Sequence, residues 1–388
     1  MFLAKAFQTD VRGRLEAGTL VEANYSVSVI ALDREGEFNS VDKIDGVAVR
    51  SFRPVNLRRS SPFRLALGGL IFQILLVLES IRMIRALKQR PIVHAHDFNT
   101  LLPGCFLKFL RLAVGVVYDS RDLASAIYRD FYGPGVAAII CSIEGRCLRY
   151  SDAVLTDSTL FANYLRRFNR ETVIIYSWPR ASDIPKLSKR EIRAQLGLPL
   201  EPFIISFVGS INELFPSELF LAVASLLNDN QNLQFLVVGG GSMAPEFRQA
   251  SSGARARLLV LPQVLREKAL AYVSASDLTW AIYLSKSLNA QMAAPLKLFE
   301  SVACRVPVLA QKGTLSAELV TEMRCGLVSE GNDPKRISQS ILSLSTNSDM
   351  QERLRPATGC TWDYMSPKLI ETYNRLISRA AARLDQKS

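Results

Sequence analysis

Lys297 and Glu300 stand three residues apart in the otherwise apolar run APLKLFESVAC, residues 294–304. The apolar residues of this run recur with helical spacing, and Pro295 lies where a proline is tolerated in the first turn of a helix. Both charged side chains therefore share a face near a helix start, where free N–H groups and the helix dipole favour an anion. Lys297 would add a full positive charge for a phosphate, and Glu300 would accept hydrogen bonds from ribose hydroxyls.

Two interpretations of this pair are open. An ion pair at i,i+3 on a solvated helix face is common and needs no ligand. A nucleotide site is favoured because the run follows the strand-like segment DLTWAIYL and the loop SKSLNAQMA, which places it at the ligand edge of a parallel sheet. The sequence therefore predicts a site for a diphosphate and a sugar at the start of this helix.

Strand-like and helix-like segments alternate along the chain, in the order typical of parallel sheets with helices on both faces. The strand-like segments are YSVSVIAL, GVAVRSF, PIVHAHD, VGVVYDS, SDAVLTDS and ETVIIYS in the first half and FIISFVGS, LQFLVVGGGS, LLVLPQV, DLTWAIYL, VPVLAQ and GLVSEG in the second. Residues 178–189, WPRASDIPKLSK, are rich in proline and polar residues and mark the predicted domain boundary. We therefore predict two Rossmann-like α/β domains whose parallel sheets face a central cleft.

The composition describes a globular protein that is long enough for about two domains. Of its 388 residues, 48% are apolar and 21% are charged, and the net charge of +11 with a pI near 9.5 predicts an anionic partner. The basic residues are scattered rather than gathered in dense runs, which argues against nucleic acid. The sequence also lacks the signatures of serine hydrolases, P-loop proteins and dinucleotide-binding proteins.

The cysteines and the amino terminus bear on the compartment of the protein. Six cysteines without C-x-x-C spacing lie mostly in apolar segments, which predicts buried thiols in a reducing compartment rather than disulfides or a zinc site. The first residues, MFLAKAFQTDVRGR, lack the long apolar segment of a signal peptide. A cytoplasmic location is therefore expected.

Residues 65–78, LALGGLIFQILLVL, form an apolar run with basic residues on both flanks. The run is shorter than the roughly 20 residues needed to cross a bilayer. Two interpretations remain open: a buried helix of the core, or an interfacial helix whose basic flanks meet anionic lipid headgroups. The second would make the protein peripheral at the inner face of the cell membrane.

His94 and His96 are two residues apart on a predicted strand, so their side chains point to the same side. A metal pair would need a third ligand, and the nearby Asp97 points the other way, so no metal site is predicted. One of the two histidines is expected to be a hydrogen-bonded core residue. His96 and Asp97, at the strand end, are predicted to face the cleft from the acceptor side.

The order and the amino-acid sequences of these segments resemble those of the family 4 glycosyltransferases over nearly the whole chain. The resemblance is carried by VHAHDFNTLLPG, VVYDSRDL, SDAVLTDS, FVGSINE, FLVVGGGS, LPQV, SASDL, the pattern N-x5-P-L-K-L-F-E-S-V-A-C-x-V-P-V, and CGLVSEG. Members of that family are retaining enzymes of the GT-B fold that use nucleotide sugars without a further cofactor. The resemblance implies an acceptor-side domain over residues 1–178, a donor-binding domain over 190–358, and a C-terminal helix with a basic tail over 359–388 that crosses back to the first domain.

Site residues are implied where this sequence matches the motifs of the family. Glu300 resembles the second glutamate of the E-x7-E motif, which binds the donor ribose, and Lys297 resembles the lysine of a P-x-K variant near the diphosphate. Asn289 stands where that variant has an asparagine. The implied donor site also includes Gly209, Gly240, Gly241, Val264 and Leu298.

The sequence departs from the family pattern at several positions. Met292 replaces the first glutamate of E-x7-E, and the basic pair that clamps the diphosphate in many members would fall near Ser210 and Phe215. Arg121 stands where related sequences have a histidine beside the donor sugar. We expect its guanidinium to bind the phosphates of the donor diphosphate, as a catalytic group. The usual first strand and its glycine-bearing loop are reduced to MFLAKAF.

The leading interpretation is a glycosyltransferase that moves a sugar from a nucleotide diphosphate to a hydroxyl acceptor with retention, in the synthesis of an envelope glycan or a glycolipid. Because the departures remove contacts to phosphate, an inactive GT-B homologue that acts as a partner or regulatory subunit is the alternative. A nucleotide-sugar epimerase on the same fold is less favoured, since the sequence offers few acid or base groups for the cleft.

Overall fold

The computed structural model describes residues 1–33, 36–53, 62–87, 89–251, 257–283 and 288–385. The chain divides into two units: unit 1 comprises Met1–Tyr176 and Met365–Ser388, and unit 2 comprises Ser177–Tyr364. The division at Ser177 lies one residue before the predicted boundary segment. Residues 284–287, which are the last residue of the predicted strand segment DLTWAIYL and part of the predicted loop after it, lie outside the described residues. So does the end of the predicted basic tail, residues 386–388.

Each unit contains one sheet. The strands are β1 (Phe2–Leu3), β2 (Ser28–Leu32), β3 (Val41–Ile44), β4 (Val47–Phe52), β5 (Ile92–His96), β6 (Gly115–Ser120), β7 (Ala153–Thr156), β8 (Thr172–Ile174), β9 (Phe203–Val208), β10 (Leu233–Val238), β11 (Leu258–Leu261), β12 (Leu278–Trp280), β13 (Val308–Gln311) and β14 (Gly326–Ser329). The order in unit 1 is β3-β4-β2-β1-β5-β6-β7-β8, and the order in unit 2 is β11-β10-β9-β12-β13-β14. Every pairing between the described strands is parallel except that of β3 with β4.

Helices connect these strands. They are α1 (Val11–Glu22), α2 (Pro62–Leu87), α3 (Phe98–Phe109), α4 (Ala124–Tyr132), α5 (Pro134–Tyr150), α6 (Thr159–Leu165), α7 (Lys189–Leu196), α8 (Ser217–Leu226), α9 (Ala244–Ser251), α10 (Arg266–Ser274), α11 (Leu288–Met292), α12 (Leu296–Ala303), α13 (Leu315–Glu322), α14 (Pro334–Ser345), α15 (Ser348–Arg353) and α16 (Ser366–Asp385). The α/β class and the two Rossmann-like halves are therefore as predicted. No helix among the described residues is long and apolar enough to cross a membrane.

The segment MFLAKAF supplies a strand of two residues in the middle of the unit 1 sheet. Phe2 pairs with Ile30 of β2 and with Ala95 of β5, so β1 joins the two halves of this sheet. The next helix, α1, begins where the Asp10 side chain accepts a hydrogen bond from the Gly13 N–H group, which caps the helix. This first strand is thus short, and it occupies a central position in the sheet.

The central strands are buried along their whole length, as expected for parallel sheets covered on both faces. All residues of β6, β9 and β10 are buried, which explains why their sequences are nearly continuous apolar runs. On one face of the unit 2 sheet, a cluster of aromatic residues that includes Phe207, Phe220, Phe235 and Trp280 forms the core. This packing fixes the carboxyl ends of β9, β10 and β12.

Helices lie on both faces of the unit 1 sheet. Right-handed crossovers between parallel strands place α2, α3, α5 and α6 on one face and α1 on the other. The contacts agree, since α2 packs on α3, α3 packs on α5, and α1 packs on the C-terminal helix α16. The sequence did not predict the edge strand β3 or helix α4. It also predicted a shorter α2, because the apolar pattern ends at residue 78 while the helix continues through residue 87.

Candidate active site

The carboxyl ends of β9 and β12 mark the point in unit 2 where the strand order reverses. From β9 the chain continues to β10 and β11 on one side, and then returns to β12, β13 and β14 on the other. Ligands of open parallel sheets bind at such a switch point, outside the carboxyl ends of the strands. The loop after β9 begins at Gly209, and residues 281–283 follow β12 directly.

Lys297 places its ammonium group at this switch point. The Nζ atom lies 3.3 Å from the centroid of the Phe207 ring near the end of β9 and 4.6 Å from that of Tyr283 after β12. A Cβ atom at Gly209 would lie 3.5 Å from the same Nζ atom, so the loop after β9 approaches the lysine closely. Lys297 and Gly209 therefore lie close together at the carboxyl end of β9.

The ammonium group of Lys297 is buried without a matching acceptor. The residue is 6% exposed, and its Nζ atom has no hydrogen-bond partner among the described residues. Burial lowers the pKa of Lys297 well below its ordinary value, although the charge of Glu300 acts in the opposite direction. Aromatic faces compensate a buried cation only in part. A bound anion would therefore stabilise the charged form of this side chain.

Glu300 lies one turn further along α12 and is paired with an arginine that the sequence analysis did not identify. Arg266 Nη1 donates to Glu300 Oε1 at 2.7 Å, from the first residue of α10. Burial raises the pKa of Glu300, and the charge of Arg266 opposes that shift. No short-range pattern links positions 34 residues apart, so this pairing could not be read from the sequence.

Three loops meet beside this lysine and glutamate. Gly241 has a φ of +138°, and a Cβ atom there would lie 2.5 Å from the carbonyl oxygen of Ile211 in the loop after β9. The Ile211 N–H group donates to the Gly240 carbonyl oxygen at 2.8 Å. A Cβ atom at Gly240 would lie 3.0 Å from Gln263 Oε1, in the loop after β11. The glycines therefore allow the loops after β9, β10 and β11 to pack together at one sheet edge.

The remaining donor-site predictions differ in how the structure places them. Val264 and Asn289 are half-buried, in the loop after β11 and in α11. The Leu298 side chain is completely buried, and its N–H group donates to the Pro295 carbonyl oxygen at 2.9 Å. Pro295 itself is the N-cap of α12 rather than a residue of its first turn. The proposed role of Leu298 in the donor site therefore stays a prediction, because its side chain is apolar and its N–H group already donates to Pro295.

The positions of the expected phosphate clamp carry no positive charge. Phe215 is buried in the aromatic core of unit 2, where its ring lies 4.0 Å from that of Phe207. Ser210 is exposed in the loop after β9, and nearby Glu213 accepts a hydrogen bond from the Ser242 hydroxyl at 2.9 Å. Among the described residues of these loops and of α12, Lys297 is thus the lysine directed to the switch point.

In unit 1, the predicted catalytic Arg121 is held by two carboxylates. Its Nη1 atom donates to both oxygens of Asp10, at 3.0 and 2.8 Å, and its Nε atom donates to Asp97 Oδ1 at 3.1 Å. Burial would raise the pKa of Asp10, but the charge of Arg121 holds that pKa at about 2. The guanidinium is therefore already neutralised by protein groups, and its role toward a donor phosphate stays a prediction.

The two histidines stack on each other, with ring centroids 4.4 Å apart, as expected for side chains on the same side of β5. His94 Nδ1 lies 2.9 Å from the Tyr373 hydroxyl, and His96 Nδ1 lies 3.1 Å from Asp119 Oδ2. Both histidines are completely buried, so the prediction that His96 faces a cleft conflicts with its burial. Period-two spacing identifies the side of a strand but not whether that side is covered.

Two further potential metal ligands, Glu16 and Asp119, lie close to the histidines, and the local spacing in the sequence did not reveal them. The buried side chains of Glu16, His94, His96 and Asp119 place one ligand atom each within 4.8 Å of one another. Burial raises the pKa of Glu16 and lowers the pKa of both histidines. Arg12 supplies the positive charge here, since its Nη2 atom lies 2.8 Å from Asp119 Oδ1 and its Nε atom 3.1 Å from Glu16 Oε1.

Comparisons with known proteins agree with this organisation. Residues 188–358, most of unit 2, match the family described as Glycosyl transferases group 1. Over 196 residues, or 47% of this chain, the sequence is 28% identical to D-inositol 3-phosphate glycosyltransferase of Rhodococcus jostii strain RHA1. That alignment covers 42% of the relative, so this chain spans less than half the length of several curated relatives that it matches.

Solved structures resemble the chain over almost its whole length. Sucrose-phosphate synthase from Thermosynechococcus elongatus has a TM-score of 0.75 at 17% identity, covering 97% of this chain and 99% of that chain. Anabaena HepE in complex with UDP and glucose has a TM-score of 0.67 at 12% identity, covering 98% of both chains. At such identities the likeness concerns the fold, which is GT-B. Residues 188–358 are homologous to group 1 glycosyltransferases.

Proposed function

We propose that the protein is a glycosyltransferase that moves a sugar from a nucleotide diphosphate donor to a hydroxyl acceptor with retention of configuration. One observation carries the proposal: a buried lysine without a hydrogen-bond partner among the described residues lies at the switch point of a sheet, in a region homologous to group 1 glycosyltransferases. A structural lysine is ordinarily exposed or paired, because an unpaired buried charge is costly. The donor diphosphate would supply the missing charge.

The proposed reaction breaks the bond between the sugar C1 atom and the diphosphate oxygen, and forms a bond between C1 and the acceptor oxygen. The acceptor hydroxyl proton passes to an oxygen of the departing diphosphate, so no protein base is required. Lys297 stabilises the negative charge that develops on this leaving group, together with the N–H groups that begin α12. The protein thereby contributes mainly orientation and electrostatic stabilisation.

The other end of the donor is assigned to Glu300 and to the packed loops. Glu300 accepts hydrogen bonds from the ribose hydroxyls, while Arg266 holds one of its oxygens at 2.7 Å and so fixes its orientation. In the proposal the backbone at Gly209 and Gly241 approaches the diphosphate, because neither residue has a side chain that would stand between the backbone and the ligand. Val264 and Asn289 flank this region in the proposal. UDP is a suitable first probe because the HepE structure contains it.

A partner or regulatory subunit without turnover is the second candidate. Three observations favour it: the clamp positions Ser210 and Phe215 carry no charge, Phe215 is buried in the core, and Arg121 is already bound by Asp10 and Asp97. Fewer cations at the diphosphate would weaken donor binding by roughly a factor of ten for each 1.4 kcal/mol lost.

Calorimetric titration of the full chain with a panel of nucleoside diphosphates tests both candidates. The transferase proposal expects one of them to bind with micromolar affinity and that affinity to be lost in Glu300→Ala. Lys335→Met, which changes an exposed lysine of α14, is the matched control and should bind like the unchanged protein. No binding across the panel would overturn the transferase proposal and favour the subunit.

We also propose that the acceptor is an envelope glycan or lipid-linked intermediate and that the protein is peripheral at the inner membrane face. Residues 65–78 would make the contact through α2. The net charge of +11 supports an anionic surface as the partner. Leu70, Ile74 and Leu78 of α2 are all exposed, which supports the interfacial interpretation of this apolar run over the buried one.

A further inference from the structure

We propose that unit 1 docks on an anionic lipid bilayer through one surface formed jointly by α2, α3 and α5, and not through α2 alone. This inference rests on the peripheral contact proposed for residues 65–78 and extends it to two more helices. We call this three-helix face the docking surface. Its exposed apolar residues are Leu70, Ile71, Ile74, Leu75, Leu78, Leu102, Phe106, Phe109, Leu110, Val136 and Ile139.

Helix α2 has two apolar faces, and only one of them is used by the core. Phe72 and Leu76 point into unit 1 and are buried. The opposite stripe, formed by Ile71, Ile74 and Leu78 with helical spacing, is between 41% and 53% exposed. In a helix of the core, other residues would cover both faces. The second stripe is not covered, so we infer that it contacts a partner outside the unit.

Helix α3 repeats this arrangement beside α2. Its exposed stripe has helical spacing, and Phe109 at its end is 70% exposed. The stripe consists of Leu102, Phe106, Phe109 and Leu110. Helix α5 contributes Val136 and Ile139 and packs on the other side of α3. Three neighbouring helices therefore expose apolar side chains on the same face of the sheet.

The charges of these helices are those that an anionic surface requires. Helix α3 contains no carboxylate, and the single carboxylates of α2 and α5, Glu79 and Glu144, are both buried. The exposed basic residues at the ends of the helices are Arg82, Arg85, Arg111, Arg146 and Arg149. Among the described residues, the three helices thus expose positive charge and apolar side chains but no negative charge.

The topology brings these arginines into one row. Each of the three helices follows one parallel strand and precedes the next, so all three run in the same direction. Their carboxyl ends, which carry the arginines, consequently lie at the same edge of the sheet. An apolar band bordered by a basic row is the pattern that binds at the interface of an anionic bilayer.

A second copy of the chain fits this surface less well. An isologous dimer would place two copies of this patch in one interface, each with the same exposed arginines and without an exposed carboxylate from the three helices to pair with them. The repulsion between these like charges is unfavourable, whereas anionic headgroups neutralise them. The lipid surface is therefore the occupant that the charge pattern selects.

Flotation of the full chain with vesicles tests the proposal. Vesicles of phosphatidylglycerol and phosphatidylcholine are compared with vesicles of phosphatidylcholine alone. We expect the protein to float with the anionic vesicles at least tenfold better, and 0.5 M salt to reduce that binding because salt screens the basic row. Phe106→Ser with Phe109→Ser on α3, and separately Ile74→Ser with Leu78→Ser on α2, should each reduce binding at least tenfold.

Controls separate the failure of this inference from the failure of its premise. Leu226→Ser with Leu265→Ser changes two exposed leucines of unit 2 and should float unchanged. Loss of binding in the α2 pair with full binding in the α3 pair overturns the three-helix surface and leaves the α2 contact standing. Equal flotation of all variants overturns both. A concentration-dependent dimer that the α3 pair abolishes, without vesicle binding, would assign the surface to a second copy and overturn the lipid proposal.

Discussion

Replacing Lys297 by methionine removes the ammonium group and keeps an unbranched side chain that can fill the same apolar space. If this lysine binds a diphosphate, UDP loses a charge-assisted contact worth about 1.5–3 kcal/mol. At about 1.4 kcal/mol per factor of ten, affinity should fall roughly ten- to a hundredfold. Stability should change in the opposite direction, since the Nζ atom is buried without a hydrogen-bond partner among the described residues. Leaving such a group unsatisfied costs about 1–3 kcal/mol.

Calorimetric titration with UDP and thermal unfolding of Lys297→Met measure these two effects. For a unit of this size, each kcal/mol of stabilisation raises the unfolding midpoint by roughly 2–4 °C. The burial that lowers the pKa of Lys297 adds a third expectation. UDP favours the charged form, so binding should take up a proton and weaken as the pH rises above the pKa of the free protein. A variant that binds UDP normally, or that unfolds at a lower temperature while losing UDP, would refute the reasoning.

Three further predictions concern other residues of the two units. Arg266→Gln should raise the pKa of Glu300, because the opposing charge is lost, and UDP affinity should then fall more between pH 8 and pH 6 than in the unchanged protein; a parallel pH profile would contradict this. Gly241→Ala should lower the unfolding midpoint measurably, because its Cβ atom would lie 2.5 Å from the Ile211 carbonyl oxygen; an unchanged midpoint would contradict the close approach. Burial raises the pKa of Glu144 from 4.5 to about 7, so the native state binds more protons than the unfolded state in this interval and stability should fall as pH rises through it, by up to about 3 kcal/mol. Glu144→Gln should flatten that dependence in denaturant titrations between pH 5 and pH 8, and an unaltered slope would exclude Glu144 as its source.

Local sequence patterns account for the strands, the helices and the position of Lys297. Alternation of apolar runs with helical patterns predicted the parallel sheets, and the P-x-K-x-x-E spacing correctly placed Lys297 and Glu300 in α12. These features depend on residues close together in the chain. They also depend on the rule that carboxyl ends of parallel strands share one edge.

Contacts between distant residues could not be predicted in the same way. The partner of Glu300 is Arg266, at the start of another helix, and the buried histidines meet Glu16 of α1 and Asp119 of β6. No periodicity connects such positions, because their proximity is set by sheet order and helix packing. The expectation for His96 failed for this reason: the pattern gave the side of the strand, and α1 determined that this side is buried.

Arg121 and Lys297 were both predicted to serve the donor phosphates, but their surroundings differ in charge. Asp10 and Asp97 already neutralise Arg121 through hydrogen bonds, whereas the Lys297 Nζ atom lies over the faces of Phe207 and Tyr283 and has no hydrogen-bond partner among the described residues. A neutralised guanidinium exerts little net attraction on a phosphate, so Arg121→Ala should change UDP affinity less than threefold. It should instead destabilise unit 1 by roughly 3–5 kcal/mol, since two carboxylates lose their buried partner. Denaturant unfolding and UDP titration of the same variant decide the matter, and a tenfold loss of affinity would refute this argument and support Arg121 as a phosphate ligand.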